Sequence, residues 1–506
     1  MDKKEITRRD FIKQGTAAVA GLTIASPSIL GKSHGYTAPS DKMNIAAVGV
    51  GGIGFSNMSS METENIVALC DVDFNYAKKA VERHPDAPRY SDFRKMFDEM
   101  GNSIDGVLVA TPDHTHAVIS ATALELNKHL YCQKPMTHSV YETRLLTRMA
   151  AVRNVATQMG NQGASTLDTD TIVEWIQNGE IGEVYRVDCA TDRPLWPQGL
   201  ETPTERQKVP KGLDWDMFIG PAKMRPYNRA YHPWDWRGWW DFGTGALGDM
   251  ACHIMQVVFE ALQLKYPISV EGSSTKVFPD CAPNAEHVKF VFPARQNLPK
   301  LAMPEVEVHW YDGGMMPEFP KGWPAGTQMM REIGGLTIFH GTKDTLVCGA
   351  LGFNPFLLSG RTPSVPKTRR RVKEYEPANE KRDATLAAVN HVQDWIRACK
   401  EDPASRVATK SNFALAGPLN ETVVMAVLAV RLKELMRPLL WDGEKMRFTN
   451  VSDTEMINLS RTEMVVVNGD PKMTKIDAEV NAVQYISELI KHTYREGWSL
   501  PAMPKF

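Results

Sequence analysis

Three glycines, Gly49, Gly51 and Gly54, are spaced G-x-G-x-x-G at the end of the apolar run that starts at Asn44. Such a spacing suits one task, holding a pyrophosphate. The first glycine permits a sharp turn, the second lets backbone approach the ligand, and the third lets the following helix lie close to the strand. Gly52 and Ile53 sit inside the same turn, where the helix N-terminus favours an anion. Any glycine-rich strand-to-helix turn matches this motif, so the next segment decides. Glu64 to Asp73 reads as a second apolar strand carrying Asp71, 20 residues after Gly51, where a carboxylate accepts hydrogen bonds from a ribose hydroxyl. No Arg or Lys follows Asp71 until Lys78, so nothing stands ready for a 2′-phosphate, and NAD is expected rather than NADP.

Two other groups carry chemistry. Lys134 ends the short strand His129-Leu-Tyr-Cys-Gln-Lys-Pro-Met136, and strand ends of an open parallel sheet project into the ligand crevice. Asp249 and His253 are four apart at the start of a helix expected to run through Ala261, which puts both on one face. A carboxylate one turn from a histidine can fix its tautomer and raise its basicity, as a general base needs. Asp249 could equally be a plain helix cap. Upstream, five of the twelve tryptophans (Trp215, Trp234, Trp236, Trp239, Trp240) fall within 26 residues, with Arg237 among them. Such rings either stack on sugar faces in a pocket wall or pack a core or subunit interface, and composition does not choose between these. Trp236, Arg237 and Trp239 are the expected substrate contacts. His114 and His116 are too weakly spaced for metal ligands, and no metal site is expected; they read as a loop lining the nicotinamide end of the cleft, beside Thr111 and Pro112.

These residues need a doubly wound scaffold. From 41 to 162 strands and helices alternate, predicting a parallel sheet with helices on both faces, a Rossmann domain. Ser103 to Pro112 reads as a buried strand stopped by Thr-Pro, with a helix over Ala117 to Asn127 after it. Residues 163–506 form the second, α+β domain: strands at Glu183 to Ala190, Ile268 to Val277, Val288 to Phe292, Glu305 to Tyr311, Leu336 to Gly341 and Thr345 to Gly349, then helices near 380 to 400 and 418 to 436. The last of these is apolar all round and too short to span a bilayer, so it belongs in a core. Met456 to Val467 reads as an insertion.

The 506 residues, 43% hydrophobic and 23% charged, suit a two-domain protein. A formal net charge of -2 supplies no basic excess for nucleic acid. Seven cysteines without C-x-x-C pairs do not make a disulfide scaffold, and at least one must be free or paired between chains. Residues 1–40 are set apart: Thr7-Arg-Arg-Asp-Phe-Ile-Lys13 followed by the small, apolar run Gly15 to Leu30 is a twin-arginine export pattern, predicting a periplasmic or otherwise exported protein with no stable membrane span after processing.

The combination of Gly49, Gly51, Gly54, Asp71, Ala110-Thr-Pro112 and Cys132-Gln-Lys-Pro135 resembles the glucose-fructose oxidoreductase, inositol dehydrogenase and MocA (Gfo/Idh/MocA) family. Members usually carry Glu-Lys-Pro where this chain has Gln133-Lys-Pro, which removes a negative charge beside Lys134. The resemblance implies a large, open, mostly antiparallel second-domain sheet, a homo-oligomer (dimer or tetramer), and Lys134, Asp249 and His253 as the catalytic set. It implies hydride transfer at a secondary hydroxyl of a sugar or glycoside, and the export pattern adds the expectation that NAD is held tightly. The alternative is the chemistry of NAD-dependent α-N-acetylgalactosaminidases, which oxidise, eliminate and reduce again without net redox change.

Overall fold

The computed structural model describes residues 41–295, 303–327, 334–364, 384–459 and 461–505. The twin-arginine pattern and its apolar run lie outside these residues.

The first sheet is built from β1 (Asn44–Val48), β2 (Asn65–Cys70), β3 (Arg89–Tyr90), β4 (Gly106–Val109), β5 (His129–Cys132) and β6 (Thr157–Met159). Every pairing is parallel and the order is 3-2-1-4-5-6, so the chain reverses its winding between β1 and β4. A crevice opens at the carboxyl ends of the strands at such a reversal. The connecting helices are α1 (Gly52–Ser60), α2 (Lys78–Arg83), α3 (Phe93–Met100), α4 (Asp113–Glu125) and α5 (Val140–Arg153). Ser139 and Glu142 form a reciprocal capping box on α5, satisfying donors that a helix start leaves open. Two expected boundaries move. The strand at 103–112 shrinks to β4 because 101–103 is a 3₁₀ turn, and α4 begins at Asp113 rather than Ala117, putting both histidines on helix instead of loop.

After α6 (Leu167–Gln177), the second sheet takes β7 (Val184–Ala190). The short α7 (Trp215–Ile219), then α8 (Gly245–Ile254) and α9 (Gln256–Leu262), intervene before β8 (Ser269–Ser274), β9 (Glu286–Phe292), β10 (Val306–Tyr311), β11 (Leu336–Gly341), β12 (Thr345–Gly349) and β13 (Phe356–Leu357). The expected single helix through Ala261 is therefore two, separated at Met255. Helices α10 (Ala384–Lys400) and α11 (Phe413–Arg431) precede β14 (Leu439–Asp442) and β15 (Arg447–Phe448). The nine strands run 13-12-11-7-10-9-8-14-15, antiparallel except for the parallel pair β7 and β10.

Helix α11 is long and apolar enough to cross a membrane, but it is buried in the protein. It couples the two sheets. Glu421 forms a buried bidentate ion pair with Arg144 of α5 (2.7 and 3.0 Å), and Asn420 accepts the Met136 N–H (2.7 Å) while donating to Thr137 and Thr143. On its other side it lies so close to β8 that a Cβ on Gly272 would meet Ala429 backbone at 2.6 Å. The segment Met456–Val467 becomes β16 (Met456–Asn458) and β17 (Arg461–Val467), paired with β19 (Glu479–Asn481) and β18 (Asp470–Ile476). Asn468-Gly469, both at positive φ, makes the two-residue hairpin turn. Helix α12 (Ala482–Ile490) then buries Ala482, Ile486 and Leu489 before an irregular tail. All seven cysteines are unpaired, and all but Cys399 are buried.

Candidate active site

The glycine turn follows β1 directly. Gly49 stands at φ +78°, and a Cβ there would meet the Ala110 carbonyl at 2.6 Å, so glycine is what lets the ends of β1 and β4 touch. A Cβ on Gly54 would lie 1.8 Å from the Gly49 oxygen, which explains the third glycine: it seats α1 on the turn. The resulting cleft is lined by Gly49, Gly51, Gly52, Ile53, Asp71, Thr111 and Pro112. Asp71 accepts the Val50 N–H (2.8 Å) through one oxygen and the Asp73 N–H (2.9 Å) through the other, which fixes its carboxylate at the cleft wall. Burial raises its pKa to about 6 in spite of these hydrogen bonds. The glycine cradle and this carboxylate fit the pyrophosphate and ribose of a dinucleotide. Arg94, in the first turn of α3, is tied to Asp92 (2.8–3.2 Å).

Lys134 follows β5, and its Nζ donates to the Asp249 carboxylate (2.7 Å) and carbonyl (2.9 Å). Arg237 donates to the same Asp249 oxygen from 3.3 Å. Burial works against ionising Asp249, but Lys134 and Arg237 outweigh it and hold the pKa at about 2. Arg237 reaches this position sandwiched by indoles, 4.0 Å from the Trp234 ring centre and 4.3 Å from that of Trp236, and all three line the cleft. Asp113 locks the two halves of the site together by accepting the Thr244 N–H (3.1 Å) and hydroxyl (2.8 Å) just ahead of α8. Burial lifts its pKa to about 7. The Gln133 amide donates to Asn57 of α1 in the interior, while its Oε1 accepts the Lys134 backbone N–H (3.4 Å).

Four expectations are corrected. Asp249 does not orient His253, because its carboxylate is spent on Lys134 and Arg237. Far from being more basic, His253 is held down to about 3, by burial first and then by the Lys134 charge, so its ring is neutral. Its Nδ1 is buried without a hydrogen-bond partner among the described residues. His114 is buried on the backbone carbonyls of Phe218 (3.0 Å), Ile219 (3.2 Å) and Phe242 (3.3 Å). His116 is held between the Pro135 and Thr111 carbonyls, both at 2.8 Å. Neither lines the cleft; Thr115 and Ile119 of the same helix do. Trp239 is 1% exposed, donates to the Ala230 carbonyl (2.7 Å), and packs with Trp215, Tyr231 and Phe242 in a separate aromatic core. Residues missed were Trp234, 47% exposed at the cleft, Tyr76 against Gly51, and Asp113. The alternation of buried and lining tryptophans, set by a 3₁₀ turn at Asp235–Gly238, has no periodic signature to read.

Comparison with known proteins agrees with this geometry. Residues 43–161 match the family model described as the oxidoreductase family NAD-binding Rossmann fold, and residues 192–294 match that of the oxidoreductase family C-terminal alpha/beta domain. A levoglucosan dehydrogenase from Pseudarthrobacter phenanthrenivorans is 28% identical over 191 residues, 37% of this chain and 40% of that protein. A glycosyl hydrolase family 109 protein from a Shewanella strain is 26% identical over 208 residues, 36% of this chain and 45% of that one. The chain spans about half the length of the curated relatives it matches. In fold it is similar to an inositol dehydrogenase homologue from Azotobacter vinelandii, complexed with NADH and myo-inositol, with a TM-score of 0.50 and 15% identity over 77% of this chain and 96% of that one. The cofactor domain and the C-terminal domain of the Gfo/Idh/MocA oxidoreductase family are thus both matched in this chain, in the same order.

Proposed function

We propose that the protein oxidises or reduces a secondary hydroxyl of a sugar or polyol, with NAD held in the cleft. The observation that carries this reading is the Lys134–Asp249–Arg237 cluster, which joins the end of β5 to the first helix after the aromatic segment. Gly49, Gly51, Gly54 and Asp71 would hold the dinucleotide, and bound NAD supplies the hydride acceptor. His253 is neutral and keeps an unpartnered ring nitrogen next to the Lys134–Asp249 pair, a potential hydrogen-bond acceptor for the reacting hydroxyl. Two cations share a single ionised carboxylate, and the excess positive charge stabilises the developing alkoxide. Trp234 and Trp236 present ring faces and edges for a sugar. Purified protein should give an absorbance rise at the reduced-nicotinamide band with a subset of a sugar and polyol panel. Absence of any nicotinamide reduction across that panel, with NAD bound, would overturn the reading.

The family 109 relatives favour a second reading, in which the same nicotinamide oxidises and then reduces one glycoside so that aglycone leaves without net redox change. Release of aglycone from an aryl glycoside separates the two. The Arg8-Arg9 pattern supports an exported enzyme.

A further inference from the structure

The tail after α12 lies beyond both family-matched segments, yet one of its side chains, Trp498, forms part of the cofactor cleft. Its place there is specific. With Asp71 at the end of β2 taking the ribose, the base falls beyond it toward the end of β3, where Ser91 and Phe93 line the wall. Trp498 stands against that wall, its ring centre 6.1 Å from Phe93, with the Arg94 guanidinium 4.7 Å above the indole.

The tail is pinned in this position. Arg495 donates to the Gly220 carbonyl (2.6 Å), the Asp216 carboxylate (2.8 Å) and the Asp216 carbonyl (2.8 Å), and its own N–H reaches the Pro221 carbonyl (3.1 Å). The Trp498 N–H closes a turn onto the Arg495 carbonyl (3.2 Å), so the anchor and the indole move as one piece. One residue earlier, the Tyr494 hydroxyl donates to Glu142 at the start of α5 (2.6 Å). The tail thus runs from the second domain across to the Rossmann domain at the mouth of the cleft.

We propose that this tail is a strap over the adenosine end of the NAD site, with Trp498 as the outer aromatic wall against the base, and that it slows NAD release. The inference rests on the NAD-dependent reading above. Arg495 acts through Trp498: it positions the strap and touches no nucleotide.

The test uses the full-length protein and the dissociation rate of bound NAD, followed by chase with excess unlabelled NAD and by the nucleotide recovered from acid-denatured protein after gel filtration. Trp498→Ala should release NAD on the order of tenfold faster, as expected for loss of one base–aromatic contact. Arg495→Ala should also speed release, and Trp498→Phe should stay near wild type because it keeps an aromatic face. Release within about twofold of wild type in both alanine variants overturns the strap. Should Trp498→Ala fail to fold, Arg495→Ala and Trp498→Phe decide the question on the same scale. A wild-type protein that neither retains nor takes up NAD would instead overturn the cofactor reading, and the strap with it.

Discussion

Asp249 stays ionised in a partly buried site because Lys134 and Arg237 both face it, while burial first and then the Lys134 charge leave His253 neutral. The roles then separate by residue. Lys134→Ala and His253→Ala should retain NAD while turnover falls roughly 10²- to 10⁴-fold, the range of a lost acid–base group; a loss below tenfold in both would remove them from the chemistry. Asp71 sets a pH limit on the cofactor. Its pKa is raised from 3.8 to about 6 by burial, so the ionised form that a ribose hydroxyl needs is lost as pH falls through 6. NAD affinity should therefore drop about tenfold between pH 7 and pH 5, one pKa unit below the midpoint. Asp71→Asn should bind weakly at both values with no such slope, and an equal slope in that variant would place the titrating group elsewhere. Much of this residue set could be read from spacing, since the glycine turn and Asp71 are local features. The partner of Asp249 could not: helical periodicity puts His253 on its face, whereas the stronger claim comes from cations 115 residues before it and 12 before it on other elements.

The elements were legible where a pattern was strong. Both outer strands of the β-hairpin unit β11 and β12 match their expected bounds, because each is an apolar run closed by Gly341 or Gly349. The start of α4 was read four residues late, because its first turn, Asp113 to His116, carries polar side chains ahead of the apolar run. The aromatic segment shows the limit most clearly, since burial and exposure alternate within six residues. Trp234→Ala should weaken sugar binding with little change in thermal stability, because the ring borders the cleft and is 47% exposed. Trp239→Ala should instead cost roughly 3–5 kcal/mol of folding stability, as for a fully buried aromatic, with the loss visible in denaturant unfolding. Equal destabilisation by the two variants would mean that Trp234 serves the core as well.

At the scale of the whole molecule, the export proposed above would oblige an enzyme with a nicotinamide site to keep the nucleotide it carries. Free NAD is scarce outside the cytoplasm, so retention through many turnovers calls for dissociation constants around nanomolar, on the order of -12 kcal/mol. Seven unpaired cysteines, six of them buried, are compatible with folding and loading before export, since no disulfide has to form afterwards. A cofactor that cannot leave must be restored in place. Each oxidation of one hydroxyl then has to be matched by reduction of a keto group on the same nicotinamide, either on a second sugar or on the reacted one. Purified protein should accordingly turn over without added nucleotide, and its bound NADH should be reoxidised by a keto sugar, seen as loss of reduced-nicotinamide fluorescence at constant total nucleotide. Activity that disappears on desalting and returns only with millimolar NAD would show an exchangeable cofactor and exclude the closed cycle.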